Sequence, residues 1–476
     1  VWDHLTITST GSATLDNVTI SNAKSCIIVD GALTAKNLDL QDCLIGIEVD
    51  GTATIDGFSA SQIDIDGVRV TGDADISDSQ LVEMSGGIQS SGDLILDGIE
   101  FTDVGTGVSL TGGTADISTL DFNSGIGNAV SIASGVSGDI DGMTGSSTNA
   151  IVAIDSSGFT ISNIDMSGER LLNSWSAGDL TVSNVAYEST SGETPIDLRT
   201  SGTVTLSNID LNGSFNSNQG SFDAPWIGMA LAGSGDYIID TSTIESTDSA
   251  LKASGTGTLS ISDSTFISDK TGLSFSGISE TTLENVVVNI SATGEKGIDI
   301  LQGSHTFVNL ELNMPINVGP ESIGINAWWC DIDAGEIAVT GFGTSIAVHE
   351  SNAVADDLTL LDSVRTGLYA LSSMVSVNDV LETRLADNGI MLSSSSVILR
   401  SWDSSFHSEN AATLDSGSEA TVWSLNGAGQ SFTGDGILNY GTTQTLTINT
   451  AESNRIWEMS VNFEDLTGTP VDADWE

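Results

Sequence analysis

Short apolar runs alternate with polar residues along almost the whole chain, and the most regular of them is a four-residue phrase. It reads glycine, aliphatic, variable, then a second aliphatic or small residue: Gly46-Ile47-Glu48-Val49, Gly67-Val68-Arg69-Val70, Gly87-Ile88-Gln89-Ser90 and Gly107-Val108-Ser109-Leu110. The phrase returns as Gly272-Leu273-Ser274-Phe275, Gly297-Ile298-Asp299-Ile300, Gly367-Leu368-Tyr369-Ala370 and Gly389-Ile390-Met391-Leu392. Within each run the alternation has the two-residue period of a strand with one face buried, and no run keeps a helical period. The pattern predicts a chain of strands and turns. A repeat of about 20 residues cannot bury its own apolar face, so successive copies must stack and share one core.

One coil spans Gly11 to Asp30, with strands over Ala13–Leu15, Val18–Ile20 and Cys26–Val29. Between its first two strands stands Asn17, and the same place is taken by Asn37, Gly57, Gly98, Asn163, Asn184, Asn208, Asn285 and Asn309. These residue types enter the left-handed backbone region at least cost, so the column predicts a tight corner, with Asn side chains free to hydrogen-bond from coil to coil. Two apolar ladders follow. One runs through Ile27, Ile47, Val68, Ile88, Val108 and Val130, and later Leu251, Leu273, Ile298, Ile325, Ile346, Leu368 and Ile390. The other runs through Ile20, Leu40, Phe101, Phe122, Met166 and Leu211, and later Val288, Leu312 and Leu360.

The phrase and the Asn corners together resemble the right-handed parallel β-helix superfamily, the pectate-lyase-like solenoids, from about Gly11 to about Tyr440. The fold expected is all-β: a single-stranded parallel β-helix of three short strands per coil, roughly 18 or 19 coils at ~4.8 Å each, or a rod about 90 Å long. Residues 1–440 are assigned to the solenoid, and residues 441–476 to antiparallel strands that cap it or begin a truncated further module. The resemblance implies a scaffold shared by lyases, hydrolases, epimerases, tailspikes, adhesins and surface proteins, so the activity has to be read from a site.

Charge narrows the field. With 65 acidic and 12 basic residues the formal charge is −53. Phosphate binding needs basic patches, so nucleic acid is excluded as a partner, and anionic membranes are disfavoured. Salt or divalent cations would relieve the self-repulsion, as in a marine or halophilic setting. No apolar stretch approaches the ~18 residues of a membrane-spanning helix, so direct membrane insertion is not expected. The first residue is Val1 and no leader is evident, which reads as a mature or excised piece of a secreted, cell-surface protein. Asn-x-Ser/Thr sequons stand at Asn17, Asn212 and Asn289. Cys26, Cys43 and Cys330 are odd in number, and the first two fall at different levels of consecutive coils, so all three are expected as buried thiols.

Chemistry should sit where the repeat breaks. An insertion from Gly213 leads into Pro225-Trp226, and the coil at Gly303 reaches Trp328-Trp329-Cys330; Trp226, Trp328 and Trp329, with Asn326, are the candidate ligand-binding residues, their rings able to stack on sugars. The variable residues of the phrase line one outer face, where Glu48 and Arg69 are expected to form an exposed ion pair. The galacturonan-hydrolase motifs Asn-Thr-Asp, Gly-His-Gly and Arg-Ile-Lys are absent. The remaining catalytic candidates cluster between residues 295 and 350: Lys296, Asp299 and His349, with Glu295, His305 and Glu350 nearby. Lys or His would serve as base and the carboxylates as acids. Metal candidates are Asp64 and Asp66, and Asp139 and Asp141, paired two residues apart on a strand. Outward Asp alternating with inward Ile explains them without a metal; no cofactor is expected, and Ca²⁺ only as loose screening charge.

Three functions compete on this reading. The first is a non-catalytic stalk, adhesin or filament segment that meets glycans or other surface proteins. The second is a polysaccharide-binding or polysaccharide-degrading solenoid, a lyase or hydrolase if it is an enzyme. The third is self-association through open solenoid ends.

Overall fold

The structure, a computed structural model, describes residues 2–153, 158–212, 227–291, 295–315, 321–384, 386–405, 407–415, 417–426, 432–434, 436–441 and 463–464. Among them every regular element is a strand or a bridge, and none is a helix. The chain divides into two compact units, Val1–Glu245 and Ser246–Glu476.

Each unit is a parallel β-solenoid, a β-helix. In the first, Ile27 stands over Ile47, Ile47 over Val68, Val68 over Ile88 and Ile88 over Val108, then Val130, with every pairing parallel. The ladder continues through Ile151, Leu172, Ile196 and Met229. In the second unit Leu251, Leu273, Ile298, Ile325, Ile346, Leu368 and Ile390 stand in one file. The expected second ladder also holds: Ile20 pairs with Leu40 and Phe101 with Phe122, while Val288, Leu312, Val339 and Leu360 follow one another. Phe101 and Phe122 stack with ring centroids 5.1 Å apart. These side chains are buried, none more than 6% exposed, each contributing roughly 1.5–3 kcal/mol.

Packing explains the glycine of the phrase. A Cβ on Gly87 would lie 2.4 Å from the Gly107 carbonyl oxygen and 2.6 Å from the Phe101 ring. On Gly297 it would lie 2.5 Å from the Gly324 carbonyl and 2.5 Å from Leu312. The strand enters so close to the next coil that no side chain fits.

The corner column has the predicted backbone. Asn17, Asn37, Asn163, Asn184, Asn208, Asn285 and Asn309 have φ between 50° and 58°, and Gly57 and Gly98 lie at 71° and 68°. Asn208 donates to the Asn184 side-chain oxygen at 3.0 Å and Asn184 to that of Asn163 at 3.2 Å; in the second unit Asn309 donates to Asn285 at 2.9 Å. Thr119 occupies this column between Gly98 and Gly142 with φ 54°, a torsion that a β-branched residue adopts at a cost of about 1 kcal/mol or more. Thr119→Asn is therefore expected to raise stability by about 1 kcal/mol, read as a higher urea midpoint. A midpoint that stays put or falls would show that the corner is unstrained.

Two expectations are corrected. Cys26 and Cys43 form a disulfide, with Cα atoms 6.0 Å apart, and Cys330 alone is a free buried thiol. The levels are as expected, Cys26 standing beside Gly46, but the bridge is diagonal: Cys43 follows the corner at Asp42, φ 53°, and joins the start of the strand Ser25–Val29 on the preceding coil. Arg69 does stand beside Glu48 in register, yet its guanidinium turns back to Asp66 at 2.5 Å, and Glu48 accepts from the Ser25 hydroxyl. The buried Asp66 is the closer partner and the less solvated one. Of the C-terminal segment, Phe463–Glu464 runs parallel to Ile437–Gly441; the rest of the expected antiparallel cap lies outside the described residues.

Candidate functional site

The second unit carries a continuous polar and aromatic track on the face formed by the variable residues of the phrase. Consecutive coils place Asp299, Asn326, Ala347, Tyr369 and Met391 in one file. Two residues further along each strand, Trp328 and His349 stand in a second file. Alternation points both files away from the core side of the strands, where Ala327 and Val348 lie, although Asn326, Ala347 and His349 are themselves largely covered by their neighbours.

The side chains are linked. Lys296 Nζ lies 2.8 Å from Asp299 Oδ2, and Asn326 Nδ2 donates to Asp299 Oδ1 at 2.7 Å. Asn326 Oδ1 in turn accepts from the Trp328 indole N–H at 3.3 Å. The Trp328 ring lies flat on the His349 imidazole, centroids 3.9 Å apart and planes 8° apart, and Tyr369 meets His349 at 5.6 Å with its ring tilted 58°. Burial holds the His349 pKa below the ordinary histidine value against the opposing charge of Glu350, so the stacked ring is neutral near pH 7.

Trp329 turns outward instead. It is 49% exposed, packs at 5.7 Å against Trp328 and donates its N–H to Glu350 Oε2 at 2.9 Å. Its φ of 55° belongs to a corner column shared with Gln302 at 64° and Glu350 at 48°. A bulky aromatic residue is an outlier in that region, and here it presents its ring at the edge of the track.

Beyond Tyr369 the track opens into a cleft of about 450 Å³ lined by Arg365, Thr366, Tyr369, Asp387, Asn388 and Glu409, among others. Asn388 Nδ2 donates to Glu409 Oε2 at 3.1 Å, and Arg365 makes an exposed 3.0 Å pair with Glu321 that contributes little to stability. The cleft escaped the sequence reading because its charged residues come from a corner. Arg365, Asp387 and Glu409 stand two places before Gly367, Gly389 and Ala411, and that offset is the signal that finds them.

The structure thus draws Lys296, Asp299, Asn326, Trp328, Trp329, His349 and Glu350 into one connected group. Glu295 is exposed and takes no part in its hydrogen bonds. His305 is not in the group: it is 2% exposed, inside the core between Phe275 and Phe307, each 6.4 Å from its ring. Trp226 lies outside the described residues. Of the metal candidates, Asp66 is held by Arg69, Asp141 accepts from Ser162 at 2.9 Å and from Asn163, Asp139 faces Asp116 and Thr160 in register, and Asp64 is exposed. Among the described residues no three His, Cys, Asp or Glu side chains are gathered as metal ligands would be.

No family model, curated protein or solved structure matches this chain.

Proposed function

We propose that this chain is a non-catalytic segment of an extracellular or cell-surface protein, built on a pectate-lyase-like solenoid, and that the track on its second unit binds neutral glycans. The observation that carries the reading is the linked series Asp299, Asn326, Trp328, His349 and Tyr369 leading into a cleft of about 450 Å³, within the size range of ligand pockets. Flat rings offer a stacking surface for the C–H face of a pyranose at small entropic cost, and the amide and carboxylates are placed for its hydroxyls. The −53 charge repels polyanionic chains and favours uncharged ones. The Cys26–Cys43 bridge supports an oxidising, extracytoplasmic compartment.

Binding accounts for the group better than catalysis. Lys296 and Asp299 neutralise one another, and His349 has one ring face covered by Trp328. A general base needs a free lone pair within reach of substrate: Lys296 and Asp299 are paired with each other, and the His349 Nδ1, though without a hydrogen-bond partner, is buried away from solvent.

A glycan array followed by calorimetry tests the reading. Trp328→Ala is expected to weaken binding of the best neutral oligosaccharide about ten-fold or more, since an aromatic contact is worth about 0.5–1.5 kcal/mol beyond its buried area. Unchanged affinity would sink the track as a site. Release of reducing ends, or new absorbance near 235 nm from a uronate chain, would replace binding by hydrolysis or lyase chemistry.

A further inference from the structure

The first unit repeats the chemistry of the track. Leu172-Asn173-Ser174-Trp175 matches Ile325-Asn326-Ala327-Trp328 position by position. In each, the aliphatic residue belongs to the core ladder and the Asn stands in the outward file of variable residues. The small residue is buried, Ser174 at 1% and Ala327 at 0% exposure, and the Trp follows on the outside. An adjacent coil supplies a carboxylate at the level of the Asn, though from opposite sides: Asp197 of the following coil beside Asn173, and Asp299 of the preceding coil beside Asn326. The next coil also supplies a planar nitrogen group for the indole, from the residue two beyond the variable position: His349 on Trp328, and Arg199 over Trp175 with Cζ 5.2 Å from the ring centroid.

A single exposed tryptophan is ordinary. Recurrence of the Asn, the Trp and the nitrogen group stacked on it, in the same register, is not. Trp175 is 61% exposed although Arg199 covers one face of its ring, so the other face is open to solvent. A guanidinium over an indole holds the ring in place, which lowers the ordering cost of whatever stacks on it. The strand shifts register between Ser174 and Ala177, and this bulge lifts Trp175 out of the ladder.

We infer that Trp175, Arg199, Asn173 and Asp197 form a second platform for a neutral pyranose chain on the first unit, of the same chemistry as the track on the second. The inference rests on the proposed glycan-binding reading but concerns different residues. The indole stacks on the sugar face, Arg199 donates to ring or hydroxyl oxygens, and Asn173 and Asp197 take the hydroxyls at the next level.

Calorimetry with cellohexaose, laminarihexaose, xylohexaose and mannohexaose separates the two claims. The unaltered chain is expected to bind its preferred hexasaccharide at two sites, Trp175→Ala and Trp328→Ala at one each, and the double variant at none. Arg199→Met, which keeps the volume and removes the donors, is expected to weaken the first-unit site several-fold. Unchanged melting temperatures check the fold, which the exposure of Trp175 makes insensitive to the change. Binding at one site that Trp328→Ala abolishes and Trp175→Ala leaves intact would overturn the second platform while the track stands. Binding that survives Trp328→Ala and disappears with Trp175→Ala would support this platform and sink the track. No heat with any of the four sugars would overturn both.

Discussion

Removing the Cys26–Cys43 bridge is expected to cost about 3 kcal/mol, the value for a closed loop of this length, and to release the first coils before the rest of the chain loosens. The sequence separation is 17, so the bond ties one coil to the next at the place where the core is thinnest. Ala13, Leu15 and Val18 point inward but are half-exposed, whereas their partners one coil on, Leu33, Ala35 and Leu38, are 2–3% exposed. Solenoid stability is close to a sum over neighbouring repeats, so a coil with little buried area depends most on any covalent tie. The Cys26→Ala, Cys43→Ala double variant should exchange its amide hydrogens faster over residues 5–29, with the second unit as the internal standard. Equal protection with and without the bridge would show that packing alone holds these coils.

That bridge also marks where sequence reading stops. The ladders and the Asn corners were legible because each is a constraint written many times over: one misplaced Asn means little, but Asn163, Asn184 and Asn208 in file leave one geometry that satisfies them all. Features that occur once carry no such redundancy. Level alignment placed Cys26 and Cys43 correctly and still missed the bond, because a diagonal reach into the core depends on side-chain direction rather than level. Arg69 had two carboxylates within reach, and only the burial of Asp66 decided between them. The functional group was legible in part for the opposite reason. Asp299, Asn326 and His349 follow the strand period faithfully, so their outward direction could be counted, whereas Arg365, Asp387 and Glu409 sit at a corner where the count restarts.

His305 shows the same restart and leads to the second large effect. Gln302, at φ 64°, and Gly303, at 121°, turn the chain, and the alternation resumes with the opposite phase, so position 305 pairs with buried Thr281 and with Ile332 and points into the core. Its Nε2 lies 3.3 Å from the Gln302 carbonyl, and its Nδ1 has no partner. Burial pushes its pKa down to about 4 from 6.5, despite the Gln302 carbonyl favouring the charged form. Above pH 6.5 neither the folded nor the unfolded chain is protonated there, and the site is neutral to stability. As pH falls from 6.5 towards 4 the unfolded chain takes up the proton and the folded one does not, so stability is lost across that window and the loss levels off below it. At about 1.4 kcal/mol per decade the full loss is about 3 kcal/mol, of which about 2 kcal/mol is expected between pH 7.5 and pH 5. Leu at this position keeps apolar volume between Phe275 and Phe307 and removes the titration. Urea midpoints at the two pH values should therefore move further apart in the unaltered chain than in His305→Leu, with the many surface carboxylates cancelling in the comparison. Parallel pH dependence in the two proteins would mean that the imidazole is hydrated in solution and that the core around it opens to water.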